Sequence, residues 1–176
     1  MCSVSLPDSA SIAISHQLND NWQLLSDVTW TNWSRIQNVP LILQSARGAI
    51  PPGTVADILD LQFRDSWRVG LGANYRWTDN FMLQLGVAYD KTPVPDAAHR
   101  AVFLPDSDRT WLALGGKYQI NKANTLDFGY AHIFMKGGDT LRSKGVGAAA
   151  GLQGVVSGTF SKQHIDIFSV QYTYSF

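Results

Sequence analysis

The sequence predicts an all-β chain: an antiparallel transmembrane β-barrel, of which it supplies about seven strands. Three observations predict it. Large apolar residues recur at every second position over seven separate stretches, the period of a strand with one apolar and one polar face. Short connections built of Asn, Asp, Thr or Lys alternate strictly with long ones, so one end of the sheet is tight and the other elaborate, as in outer-membrane barrels. Aromatic residues collect near both strand ends, where the two interfaces of a bilayer would lie.

The first strand is Ser9 to Leu18, with Ala10, Ile12, Ile14, His16 and Leu18 on one face and Ser9, Ser11, Ala13, Ser15 and Gln17 on the other. Asn19, Asp20 and Asn21 supply a turn, and Trp22, Leu24, Ser26, Val28 and Trp30 resume the alternation. A long connection, about 36–61, carries VPLILQ and the breaker run AIPPG. The third strand is the clearest: Phe63, Asp65, Trp67, Val69, Leu71, Ala73, Tyr75 and Trp77 alternate with Arg64, Ser66, Arg68, Gly70, Gly72, Asn74 and Arg76. After Thr78, Asp79 and Asn80, the fourth strand places Phe81, Leu83, Leu85, Val87 and Tyr89 opposite Met82, Gln84, Gly86, Ala88 and Asp90. The fifth runs from about Arg109 to Ile120 and the sixth from Thr125 to Phe134, with 121–124 as the turn between them. A Gly-rich connection, about 136–162, delivers the terminal stretch QHIDIFSVQYTYSF, in which Phe168, Val170, Tyr172, Tyr174 and Phe176 alternate with polar residues to the last position.

Composition excludes other classes. The charged fraction is 16%, below the roughly 25% usual in soluble domains, and no run approaches the ~20 apolar residues of a membrane helix. Lys plus Arg equals Asp plus Glu at 14 each, with no basic run, so the electrostatic footprint of a nucleic-acid partner is missing. The single cysteine, Cys2, excludes a disulfide framework. Gly145, Gly147 and Gly151 lack the strand-to-helix context of a dinucleotide site. His16, His99, His132 and His164 form no convergent triad, and Asp106 with Asp108 offers too few oxygens for a cation. No enzyme, cofactor or metal site is expected.

The aromatic residues divide into two expected girdles. Trp22, Tyr75, Trp77, Phe81, Tyr118 and Tyr174 lie by the tight turns or the terminus, and Trp30, Trp33, Phe63, Trp67, Tyr89 and Phe134 lie toward the long connections. The competing architecture is a soluble sandwich, which would bury Trp67, Leu71, Leu85 and Phe128 together.

The segment FRDSWRVGLGANYRWTDNFMLQLGVAYDKTPVPDAAHRAVFLPDSDRTWLALGGKYQIN resembles the C-terminal half of the long-chain fatty acid transport porins of Gram-negative outer membranes, the FadL type, which also includes importers of aromatic hydrocarbons. Its blocks PVPD and LPDSDRTWLALG, the opening LPDSASIAISHQLNDNWQLLSDVTWTNWSRI and the ending YTYSF fit the same family. The resemblance implies a barrel of about fourteen strands closed by an N-terminal hatch, through which apolar substrate passes without ATP. It also implies outer-membrane lipid, a fatty acid or hydrocarbon, and the barrel-assembly machinery as partners. Residues 1–176 are expected to be the C-terminal portion of one barrel domain, the N-terminal half, hatch and signal peptide lying outside them: bacterial barrels carry even strand counts, and an open edge is costly in lipid.

The expected substrate contacts are Arg64, Arg68, Arg109 and Trp111, on the lumenal parity toward the long connections. Lumenal acids such as Asp27, Asp90 and Asp127 are the alternative partners of those arginines. Where the family carries a ligand-contacting lysine ahead of FRDSW, this chain reads ADILDLQ, which favours uncharged cargo. Val39 to Leu43, with Ile50 and Val55, is either an apolar landing patch or internal loop packing. Tyr172, Tyr174 and Phe176 are the expected membrane-assembly signal. A general porin or structural barrel is the alternative function.

Overall fold

The computed structural model describes residues 5–46, 51–103, 105–143 and 154–176. Eleven strands are present among them: β1 (Ser9–Gln17), β2 (Trp22–Thr31), β3 (Asn38–Ile42), β4 (Val55–Asp60), β5 (Ser66–Thr78), β6 (Phe81–Asp90), β7 (Arg109–Gln119), β8 (Asn124–Met135), β9 (Gly138–Ser143), β10 (Val155–Phe160) and β11 (Gln163–Tyr174). Seven form one antiparallel sheet in the order β1-β2-β5-β6-β7-β8-β11, and β3–β4 and β9–β10 form two separate hairpins. The sheet is open, with β1 and β11 at its edges.

Turn chemistry sets the tight end. Asn19 Oδ1 accepts the amides of Asn21 (3.0 Å) and Trp22 (2.9 Å), and Asn121 Oδ1 accepts the amide of Ala123 at 3.0 Å. These side chains mimic a backbone turn, so the chain reverses within a few residues and fixes the register of the strands that follow.

That register carries the apolar face across the whole sheet. Ile12 faces Val28, Val28 faces Val69, Leu71 faces Val87, Val87 faces Leu112, Leu114 faces Tyr130 and Tyr130 faces Phe168. Among the described residues nothing covers this face: Trp67, Leu71, Leu85 and Phe128 are 52%, 59%, 50% and 44% exposed, which rules out the sandwich. An exposed sheet face this apolar is matched to hydrocarbon rather than water. At the tight end its aromatic residues touch, with Trp22 and Tyr75 at 4.6 Å between ring centroids and Tyr174 and Phe176 at 5.5 Å.

The long connections correct the sequence reading. Two of them carry hairpins of their own, β3–β4 and β9–β10. Strand β5 begins at Ser66 rather than Phe63, so Arg64 lies in the connection before it. Trp33 and Phe63, expected in a girdle, pack edge to face at 6.1 Å against a small loop core of Ile36, Val39, Leu61 and Ala101. Val39 therefore serves internal packing, whereas Ile42 and Val55 are exposed; Ile50 and the glycines at 145, 147 and 151 lie outside the described residues, as does Cys2.

Candidate functional site

The polar face is paved with small residues. Gly70, Gly72 and Gly86, with Ala13 and Ala113, contribute to a hollow of about 400 Å³ that Asp27, Arg68 and Trp111 also line. A second hollow of about 470 Å³ is lined by Gln84, Gly86, Gly115, Asp127, Gly129, Ser169 and Gln171 among others. Gly86 is common to both. Alternation explains the arrangement: each residue opposite a bulky apolar one on the strand points to this face, and small side chains there leave space. At Gly70 a Cβ would collide with the Asp27 carboxylate, so glycine is what lets Asp27 lie across the strand toward Arg68.

The expected cations separate into two environments. Arg68, Asp90 and Arg109 occupy one register row across β5, β6 and β7. Arg109 Nη2 lies 2.9 Å from Asp90 Oδ2 and Arg109 Nη1 lies 3.5 Å from Asp106 Oδ1, while Arg68 Nη1 reaches Asp27 Oδ2 at 3.2 Å. Two of the three lumenal acids thus hold arginines. Among the described residues no such ion pair is formed by Asp127, which faces Lys117 in register. Arg64 is elsewhere, lining a cavity among the long connections.

Pairing does not use every donor. Arg109 Nε and Trp111 Nε1 are buried and, among the described residues, lack a hydrogen-bond partner. They lie two residues apart on one face of β7, about 7 Å along the strand. Orphaned buried N–H groups are rare and costly. Asp106 and Asp108 are accounted for by Thr92, whose hydroxyl donates to Asp106 Oδ2 (2.7 Å) and whose amide donates to Asp108 Oδ1 (3.0 Å). Among the described residues no group of three or more His, Cys, Asp or Glu is disposed to hold a metal ion.

The apolar face holds one cluster that alternation alone does not reveal. Tyr130 Oη donates to Asp166 Oδ1 at 2.7 Å, His132 Nδ1 lies 2.6 Å from the same oxygen, and the His132 and His164 rings stack at 5.6 Å. His164 thus joins this cluster through its ring contact with His132. Its signal is Asp166, a carboxylate on apolar parity in β11, whose partners lie more than thirty residues earlier and become visible only through the β8–β11 register.

At the other end of β11, Tyr172 Oη donates to Asn124 Oδ1, and the Ser175 amide donates to the Ala123 carbonyl at 2.8 Å. Phe176 is fully exposed.

Comparison with known proteins places these features in context. Residues 1–176 match the profile of the outer membrane protein transport protein family (OMPP1/FadL/TodX). The chain is 32% identical over 147 residues to the long-chain fatty acid transport protein of Escherichia coli O6:H1, covering 84% of this chain and 31% of that protein. It is 28% identical over 173 residues to outer membrane protein P1 of Haemophilus influenzae, covering 98% of this chain and 36% of that one. Among solved structures, a Pseudomonas aeruginosa FadL homologue superposes with a TM-score of 0.78 at 29% identity, covering 96% of this chain and 35% of that one. The chain spans about a third of the length of the relatives it matches.

Proposed function

The chain belongs to the outer membrane protein transport family (OMPP1/FadL/TodX) and is a protein of the Gram-negative outer membrane, and from that premise we propose that it forms part of a longer barrel which passes hydrophobic small molecules across that membrane without ATP. The carrying observation is the polar face: two hollows floored by glycine and alanine, with the unpaired donors Arg109 Nε and Trp111 Nε1 close by. A long apolar tail gains roughly 0.8 kcal/mol per buried methylene, so such hollows need only a polar anchor to fix orientation. Arg109 and Trp111 supply that anchor for an oxygen-bearing head, and Arg68 borders the same hollow. Arg64 acts at the outer rim instead. The substrate class we assign is long-chain fatty acids together with neutral hydrocarbons.

The two edges of the sheet support the reading as one portion of a larger barrel. Backbone groups left unpaired in hydrocarbon cost several kcal/mol each, so β1 and β11 require further strands beside them. Tyr172, Tyr174 and Phe176 are assigned to recognition by the barrel-assembly machinery.

The test is conductance and binding by the protein purified from the outer membrane. Displacement of a fluorescent fatty acid by unlabelled cargo, with little steady ion current across a planar bilayer, is expected. A large continuous current would replace the transporter with a general porin.

A further inference from the structure

A row of charged groups stands directly above the outer aromatic ring. On the apolar parity, Val69, Tyr89, Thr110 and Phe134 form one register row across β5, β6, β7 and β8. The next row toward the long connections begins with Trp67, whose carbonyl accepts the Lys91 amide at 3.0 Å. It ends with Asp108, whose carbonyl accepts the Lys136 amide at 2.9 Å. Rows on one face are about 7 Å apart. The chain therefore passes from Tyr89 and Phe134 to Lys91 and Lys136 within one step of the outward face, the height at which a bilayer passes from acyl chain to headgroup.

These lysines are part of a built cavity. Arg64, Lys91, Arg100 and Lys136 line a space of about 390 Å³ together with only two carboxylates, Asp65 and Asp108. Both acids are turned to backbone amides: Asp65 Oδ1 accepts from Ser34 at 3.1 Å and Asp108 Oδ1 from Thr92 at 3.0 Å. Arg100 is held in place by the carbonyls of Asp106 and Asp139. Among the described residues, no carboxylate forms an ion pair with any of the four cations, whereas Arg35, Arg68 and Arg109 are all paired. The cavity thus carries more positive than negative charge, and none of its cations is neutralised from within.

We propose that this cavity binds the phosphomonoester headgroup of an outer-leaflet membrane lipid, whose acyl chains lie against Tyr89 and Phe134 below it. Lysine and arginine are the side chains that hold phosphate through charge-assisted hydrogen bonds, and basic pockets at the membrane surface recognise phosphorylated headgroups in this way. A free phosphate would satisfy the cations alone. The exposed aromatic side chains beneath them make a lipid the better fit, because both ends of the molecule are then contacted. The proposal rests on membrane placement and is independent of which cargo crosses the barrel.

The test is native mass spectrometry of the protein purified from its own outer membrane in neutral detergent, with diphosphorylated lipid A as probe. Retention is expected to fall roughly tenfold in the K91Q/K136Q variant, the loss of about one charge-assisted contact, and to be unchanged in K122Q at the opposite rim. R64Q gives a separate reading of the same cavity should the double variant fail to show the heat-dependent gel shift of a folded barrel. Lipid A stripped of phosphate should be retained no better by the wild type than by K91Q/K136Q. Equal retention of the phosphorylated and stripped forms by the wild type, or equal loss in K122Q, overturns the site. Displacement by inorganic phosphate at comparable concentration overturns the lipid in favour of a free anion. Cargo competition, measured on K91Q/K136Q and K122Q, should match wild type.

Discussion

Arg109 and Asp90 face each other across β7 and β6, guanidinium Nη2 to carboxylate Oδ2 at 2.9 Å. Their side chains are 29% and 18% exposed, against 43% and 35% for Arg68 and Asp27, so the first pair is the more enclosed. Arg109 nevertheless keeps its Nε unpaired, and an incoming carboxylate would meet a cation already shared between Asp90 and Asp106.

Arg109→Ala should therefore weaken fatty acid binding by roughly ten- to a hundredfold, the loss of a charge-assisted hydrogen bond worth about 1.5–3 kcal/mol, and leave neutral hydrocarbon binding unchanged. Asp90→Asn should act in the opposite direction by releasing the guanidinium. Competition of both ligand types against a fluorescent fatty acid checks each arm. A hydrocarbon that fails to compete with the wild type shows that the head group, not the tail, governs binding.

Gly86 borders both hollows, and a Cβ there would meet only Ala113 Cβ at 3.6 Å and the Leu71 carbonyl at 3.8 Å. Gly86→Leu is thus expected to assemble normally and to reduce cargo uptake several-fold by filling space. Outer-membrane abundance and uptake are measured on the same cells. Undiminished uptake with normal abundance would place the route away from this face.

Removal of Phe176 should lower the outer-membrane level of the protein, because the terminal ring is exposed to an assembly partner while Tyr172 is tied to Asn124. Quantitative immunoblotting of membrane fractions reads this directly, and undiminished insertion counts against the role.

Asp65 lies outside the strands of the sheet, and hydrogen bonds from the Ser34 side chain and backbone hold its carboxyl below the usual value of 3.8. A depressed folded-state value means that the stabilising contribution is complete above the unfolded value and disappears as pH falls through the folded one. Hydrogen exchange at the Ser34 amide should accordingly show protection from neutral pH down to about pH 4 and its loss at lower pH, once the intrinsic pH dependence of exchange is subtracted. In Asp65→Asn that acid step should vanish. Persistence of the step would assign it to another acid.

The seven sheet strands were legible because alternation and tight turns are local. Fourth-strand bounds at Phe81 and Asp90 match β6 at both ends, since Thr78, Asp79 and Asn80 punctuate one end and the lumenal charge the other. The hairpins were not legible: VPLILQ is a continuous apolar run containing Pro40, without a period to separate strand from loop, and β3 pairs with β4 across more than ten intervening residues. At the candidate site, arginines and acids on lumenal parity could be named, but which acid meets which arginine depends on cross-strand register. The register also sets Asp90 between Arg68 and Arg109, a relation that residues about twenty positions apart do not announce.

The open sheet carries a directional constraint. Ser9 faces Thr31 at the long-connection end and Gln163 faces Met135 at that same end, so β1 and β11 both run from the elaborate side to the tight side. Joining them would create a parallel pair in a sheet that is otherwise antiparallel. Two copies inserted in the same orientation meet the same obstacle at both seams, β11 of one against β1 of the other, and so cannot seal an all-antiparallel cylinder between them. Only an odd number of intervening strands restores the alternation, which makes the polarity of the sheet a selection rule for whatever completes it.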